Sequence, residues 1–118
     1  MLTRTLVTAL CATAIVSPAL ARDEIRIVGS STVFPYTQAV AENFVNLTGS
    51  PSPIVESTGT GGGMKIFCGG IGEKFPDVTG ASRAMKSSEY ELCQSNGVTD
   101  ISEALIGFDG LSMAVSRD

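Results

Sequence analysis

The chain has 118 residues, of which 43% are hydrophobic and 17% charged, a balance that fits one folded domain and not a disordered chain. It contains no histidine, so neither a Ser-His-Asp nor a Cys-His catalytic arrangement, nor a histidine-containing metal site, can be built from it. Lys+Arg 8 against Asp+Glu 12 give a net charge of -4, and an acidic chain lacks the basic face that nucleic acid demands of a partner.

Taken in chain order, the first segment reads as an address and not as structure. Arg4 supplies a positive charge, and Leu6 to Val16 form an apolar run. That run is too short for a bilayer, which takes about 20 residues. Ser17-Pro18 breaks it, and Ala19 and Ala21 place small residues at the two positions a signal peptidase inspects. The pattern predicts a secretory signal over 1–21, cleaved after Ala21. A buried helix or an N-terminal anchor is the alternative. No later apolar stretch is long enough to span a membrane. Cys11 leaves with the signal, so an oxidising compartment receives an even pair, Cys68 and Cys93. A disulfide between them would close a loop of about 26 residues and contribute roughly 3.5 kcal/mol through chain entropy. Two buried thiols are the other option. A reactive thiol is disfavoured, because neither a His nor a Cys-x-x-Cys pattern accompanies them, and three scattered cysteines make no zinc knuckle.

Glu24 to Gly29 alternates and is β-branched, which predicts a first strand. Ser30-Ser31-Thr32 follows. Val33, Tyr36, Val40, Phe44 and Leu47 then recur at helical spacing, with Pro35 in the first turn and Gly49 at the end. Pro53 to Ser57 predicts a second strand. Gly59 to Gly63 reads as a glycine-rich turn that opens a helix over Met64 to Cys68. Asp77 to Ala81 predicts a third strand. Ser88 and Glu91 make a capping box for a helix running to Asn96-Gly97. Glu103 to Arg117 reads as strand, turn and strand, with Asp109 as a turn former between Phe108 and Gly110. Asn46-Leu47-Thr48 matches a glycosylation acceptor but falls within the first helix. The alternation predicts an α/β fold, a mostly parallel sheet with flanking helices.

Parallel sheets bind ligands beyond the carboxyl ends of their strands. Three clusters fall there: Ser30-Ser31-Thr32, Thr58 to Gly63, and Ala81-Ser82-Arg83. Ser31, Thr32, Thr60 and Ser82 offer hydroxyls, and Gly61 and its neighbours offer bare amides. Two clusters precede helices, whose first N–H groups and dipole favour an anion. Arg83 adds a planar, permanently charged fork. Together they suit capture of a small oxyanion without a metal or cofactor. Each cluster also has a plainer reading: N-caps for the hydroxyls, a simple turn for the glycines, a solvated charge for Arg83. The glycine run is no P-loop and no dinucleotide fingerprint, because Met64 stands where each of those patterns has a glycine.

The ordered set Gly29-Ser30-Ser31-Thr32-Val33-Phe34-Pro35, Ser57 to Lys65, Gly80-Ala81-Ser82-Arg83 and Gly107-Phe108-Asp109-Gly110 resembles the periplasmic phosphate-binding proteins of ABC transporters. The resemblance covers about residues 24 to 117. It implies a type II periplasmic-binding-protein fold, with residues 22–118 as the N-terminal, truncated part of one lobe. It implies that Ser31, Thr32, Thr60 and Gly61 donate to phosphate, and that Ser82 and Arg83 contact or orient it. Some relatives carry an Asp in place of Arg83 that accepts the proton of phosphate; this chain has Ser-Arg. The implied partners are inorganic phosphate and a membrane permease, in the periplasm. Sulfate, molybdate or tungstate is the alternative cargo. A secreted phosphatase or serine hydrolase is a more distant one, since the only acids near the clusters are Glu56 and Asp109. An open half-site leaves water competing for every donor, so the isolated polypeptide is expected to bind phosphate weakly or not at all.

Overall fold

The computed structural model describes residues 22–116. The expected signal segment and its cleavage point lie outside the described residues. Six elements follow in strict alternation: β1 (Arg26–Gly29), α1 (Phe34–Thr48), β2 (Ile54–Ser57), α2 (Thr60–Phe67), β3 (Val78–Gly80) and α3 (Ser87–Ser95). The sheet is parallel, in the order β2-β1-β3. The first strand is therefore central, and the chain steps to one side of it and then to the other. The right-handed rule for parallel connections assigns α1 and α2 to opposite faces.

The registers decide where the strands end. Gly29 pairs with Ser57 on one side and with Gly80 on the other. All three strands thus stop at one level, and the turns that follow them share one edge of the sheet.

A close approach of backbones holds α2 on the sheet. An added Cβ at Gly63 would lie 2.5 Å from the Gly29 Cα and 2.7 Å from the Thr79 Oγ1. One at Gly29 would lie 2.1 Å from the Gly80 carbonyl oxygen, and Gly29 also has φ +134°. Neither position has room for any other residue. The glycine run is consequently not a turn before a helix, as its composition suggests. Helix α2 begins at Thr60 and takes Gly61, Gly62 and Gly63 into its first turn. Tertiary contact overrides the low intrinsic helix propensity of glycine here.

The core is small. Cys68 and Cys93 form the expected disulfide and are fully buried, packed with Val98 and against Phe67, Met85 and Ile101. The bond ties the end of α2 to α3. Asn96 Nδ2 donates to the Cys68 carbonyl at 2.8 Å, a second tie between the same segments. At the other end of the sheet, Asp77 accepts from the Arg26 amide at 2.8 Å and pairs with the Arg22 guanidinium.

Three expectations change. The apolar stripe predicted for α1 is not the face it buries: Tyr36, Val40 and Leu47 are exposed, and Ala41 is the buried position. Two rows on that helix fit the 3.6 period, and contact with the sheet selects the one through Ala41. Helix α3 starts earlier than a Ser88–Glu91 box implies. Its first turn is closed by Glu89, whose Oε2 accepts from the Lys86 amide at 2.9 Å. Residues 101–116 form neither of the two strands expected there, and Leu105, Ile106, Phe108, Leu111, Met113 and Val115 are exposed. A strand signal needs a ladder partner, and none pairs with this segment among the described residues.

Gly63→Ala is expected to lower stability by about 1–3 kcal/mol through overpacking. Gly61→Ala, which has open space around it, is expected not to lower it. Thermal unfolding of the two variants, followed by circular dichroism, distinguishes them. Cys93→Ser is expected to cost about 2–5 kcal/mol, read from urea denaturation against the oxidised parent.

Candidate functional site

Hydrogen bonds splice the three turns together at the shared sheet edge. The Ser30 amide donates to the Gly80 carbonyl, and the Thr58 amide to the Gly29 carbonyl, each at 2.9 Å. The β1–α1 turn therefore sits between the other two, fastened to both. Within it Ser30 is buried, and its Oγ accepts the Thr32 amide at 3.2 Å. Ser30 is thus a local brace for the turn. Ser31 and Thr32 are exposed at its tip.

The other two turns meet through side chains. Thr60 Oγ1 accepts the Ser82 amide at 3.1 Å and lies 3.0 Å from Ser82 Oγ. The two hydroxyls carry two protons between them, and one is enough for their mutual hydrogen bond. The other proton remains available to an acceptor. Thr60 is also the first residue of α2, and no side chain caps that helix start. The first amides of a helix have no intrahelical partner. Gly61 is exposed, and a Cβ added there would meet nothing within 4 Å beyond its own helix, so this face of the helix start is open to a ligand. The site is donor-rich, with amides and hydroxyls converging beside the positive end of a helix dipole. Such a set favours an acceptor-only, negatively charged ligand.

Arg83 is placed at the same edge, but its fork is engaged. Nη1 donates to Glu89 Oε2 at 2.9 Å and to the Ala84 carbonyl at 3.0 Å, and Nη2 donates to Glu89 Oε1 at 2.7 Å. Hydrogen bonds from Arg83, followed by that from the Lys86 amide, hold the Glu89 carboxyl down to about 2. The same pair raises Arg83 above its usual value. Of the acids considered near the clusters, Glu56 pairs with Arg26 at 3.2 Å, and Asp109 lies in the irregular segment 101–116.

The structure thus brings Thr60, Gly61 and Ser82 together and sets Ser31 and Thr32 on the adjoining turn. Sequence reading missed Ser30 as a buried brace and Glu89 as the partner of Arg83. The first had a signal, since a small polar residue between a glycine and a polar turn is a common brace. The second had none, because Arg83 lies in the loop after β3 and Glu89 in α3, and no single period relates residues in different elements. A cavity of about 590 Å³ opens elsewhere, lined by Phe67, Ile71, Phe75, Val98, Arg22 and Asp77 among others. It touches none of the site residues. Among the described residues no cluster of acids and cysteines could hold a metal, and no helix is long and apolar enough to cross a membrane.

Parallel strands ending in register, with donor-bearing turns at their carboxyl ends, define an open α/β binding fold. Comparison with known proteins makes this specific. Residues 15–118 match the PBP superfamily domain, and the chain belongs to that family. It is 42% identical to a protein named SphX from Synechococcus elongatus over 89 residues, covering 75% of this chain and 25% of that protein. A SphX from Synechocystis sp. is 37% identical over 97 residues, 82% of this chain and 27% of its own length. The phosphate-binding protein PstS of Staphylococcus saprophyticus is 30% identical over 95 residues, 80% of this chain and 28% of its own length. A crystal structure of a possible phosphate binding protein from Planctomyces limnophilus aligns with TM-score 0.56 and 44% identity, over 63% of this chain and 25% of that one. The chain spans about a quarter of the length of these relatives.

The Glu89 carboxyl lies below its unfolded value of 4.5, so its contribution is complete above that pH and is lost as pH falls toward about 2. The Arg83–Glu89 pair is expected to survive at pH 5 and to open between pH 4.5 and about 2. A carbon-detected NMR titration of the Glu89 carboxyl checks this; a midpoint near 4.5 would show that the pair is not formed in solution.

Proposed function

We propose that this chain carries one face of a phosphate-binding site in an exported solute-binding protein that delivers phosphate to a membrane permease and catalyses no reaction. The observation that supports it most directly is the Thr60–Ser82 hydroxyl pair, 3.0 Å apart at the uncapped start of α2. The phosphate-binding names of relatives point the same way. In this reading the α2 amides, Gly61 foremost, and the hydroxyls of Thr60 and Ser82 donate to phosphate oxygens. Ser31 and Thr32 donate from the neighbouring turn. Arg83 orients the loop that carries Ser82. Residues 1–21 act as the export signal, and the periplasm is where the protein works.

A receptor fits the chemistry better than an enzyme. A serine or threonine nucleophile needs a base within hydrogen-bond reach. Thr60 Oγ1 and Ser82 Oγ bond to each other and to a main-chain amide, not to a carboxylate. With donors on one side only among the described residues, water competes from the other, and the chain by itself is expected to bind phosphate weakly.

Phosphate titrated into the ¹⁵N-labelled chain is expected to shift the amides of Thr60, Gly61 and Ser82 together, with no turnover of a phosphate ester. Thr60→Val is expected to weaken this response by about tenfold, the loss of one or two hydrogen bonds to a charged acceptor. Low-micromolar binding by the chain alone, or shifts scattered away from these residues, contradicts the reading. Equal competition by sulfate, molybdate or tungstate would reassign the cargo within the same site.

A further inference from the structure

Among the described residues Arg83 is the arginine at the site edge, and a free guanidinium there would be the natural partner of an oxyanion. It is not free. Both Nη1 hydrogens and one Nη2 hydrogen are used, on Glu89 and on the Ala84 carbonyl. The two donors left over, Nε and the second Nη2 hydrogen, belong to a cation whose charge Glu89 already balances. The geometry points to a different role: Arg83 and Glu89 are positioning residues that clasp the 82–86 loop so that Ser82 meets Thr60, and the charge of a bound oxyanion is met by amides and hydroxyls instead of by the guanidinium. This rests on the anion-site reading above and deepens it.

The connections form a closed ring. Thr60 at the start of α2 bonds the amide and hydroxyl of Ser82. Arg83, next along the chain, grips Glu89 in the first turn of α3. Glu89 in turn accepts the Lys86 amide, which closes the loop on its far side. Cys93, four residues further on in the same helix, is joined covalently to Cys68 at the end of α2. The helix that begins with Thr60 and the segment that carries Ser82 are thus joined at both ends, by hydrogen bonds at Thr60–Ser82 and covalently at Cys68–Cys93, with the Arg83–Glu89 pair bracing the segment between. That ion pair is only partly shielded, with the Arg83 side chain 35% exposed and that of Glu89 16%. An exposed pair of this kind contributes little to global stability, so its consequence is local geometry.

The test uses the full chain with Arg83→Gln, Arg83→Lys, Glu89→Gln and the Arg83→Gln/Glu89→Gln double variant. Two readouts are taken. The first is hydrogen exchange of the Ser82 amide without phosphate, referenced to the Cys68 amide, which donates to the Met64 carbonyl at the end of α2. The second is the phosphate titration of the amides of Thr60 and Gly61. Each single variant is expected to speed Ser82 exchange relative to Cys68 and to weaken the phosphate response by a similar factor, about five- to tenfold for a lost charge-assisted contact. The double variant is expected to be no worse than either single one. Arg83→Lys keeps the charge but loses the fork, and is expected to behave like Arg83→Gln. If Glu89→Gln instead tightens phosphate while Arg83→Gln weakens it, Arg83 is a ligand and the inference is overturned. Unchanged Ser82 exchange in all variants overturns it as well. A parent chain in which phosphate moves no amide, but in which Ser82 exchange responds to the variants, keeps the clasp and removes the anion reading.

Discussion

Everything at the functional edge depends on how closely three stretches of backbone approach one another. Gly29, Gly63 and Gly80 meet where β1, α2 and β3 cross, with no space for a side chain at Gly29 or Gly63. That contact seats α2 so low on the sheet that its first residue, Thr60, reaches the turn after β3. It also brings the helix start to the level where the three strands end. A bulkier residue at Gly63 would lift the helix, and the hydroxyl pair would separate before any ligand contact was touched.

The candidate site is built from groups that contacts within the chain already hold in place. The Ser30 and Thr58 amides bind the turns to one another through main-chain hydrogen bonds. The disulfide and the Arg83–Glu89 pair secure the loop that carries Ser82. Preorganised amides and hydroxyls need no rearrangement to accept an anion, which is where such sites gain their affinity. They also carry no formal charge, so the acidic balance of the chain as a whole does not oppose them. The exposed apolar side chains of residues 105–115 belong to a different problem, a strand-like segment with no ladder to join among the described residues.

Much of the layout was legible from local signals. The alternation of β-branched runs with helical spacing predicts β1, α1, β2 and β3 in order, and the hydroxyl and glycine clusters fall after the strands as expected. The Cys68–Cys93 bond was expected from the signal-like N-terminal pattern and the even count it leaves. Other features were not legible, because their causes are non-local. The glycines of α2 read as a turn until the Gly63–Gly29 contact gives them a reason to be helical. The row read for α1, through Tyr36, Val40 and Leu47, is not the buried one, since the row through Ala41 fits the period as well and only the sheet selects it. Arg83 carries the same charge in either role, and only the position of Glu89 distinguishes a ligand from a clasp.

What the sequence by itself determined is chemistry: no histidine, hence no histidine-assisted catalysis or metal site; hydroxyls, bare amides and one arginine after successive strands; two cysteines able to pair. Those properties belong to residue types and survive any arrangement of the chain. What only the tertiary structure decided is convergence. The parallel register ends three strands at one level, the glycine contact sets the height of α2, and Glu89 takes up the fork of Arg83. Each of these joins residues distant in the chain or across a bend, where neither propensity nor spacing reaches, and close packing alone selects the partner.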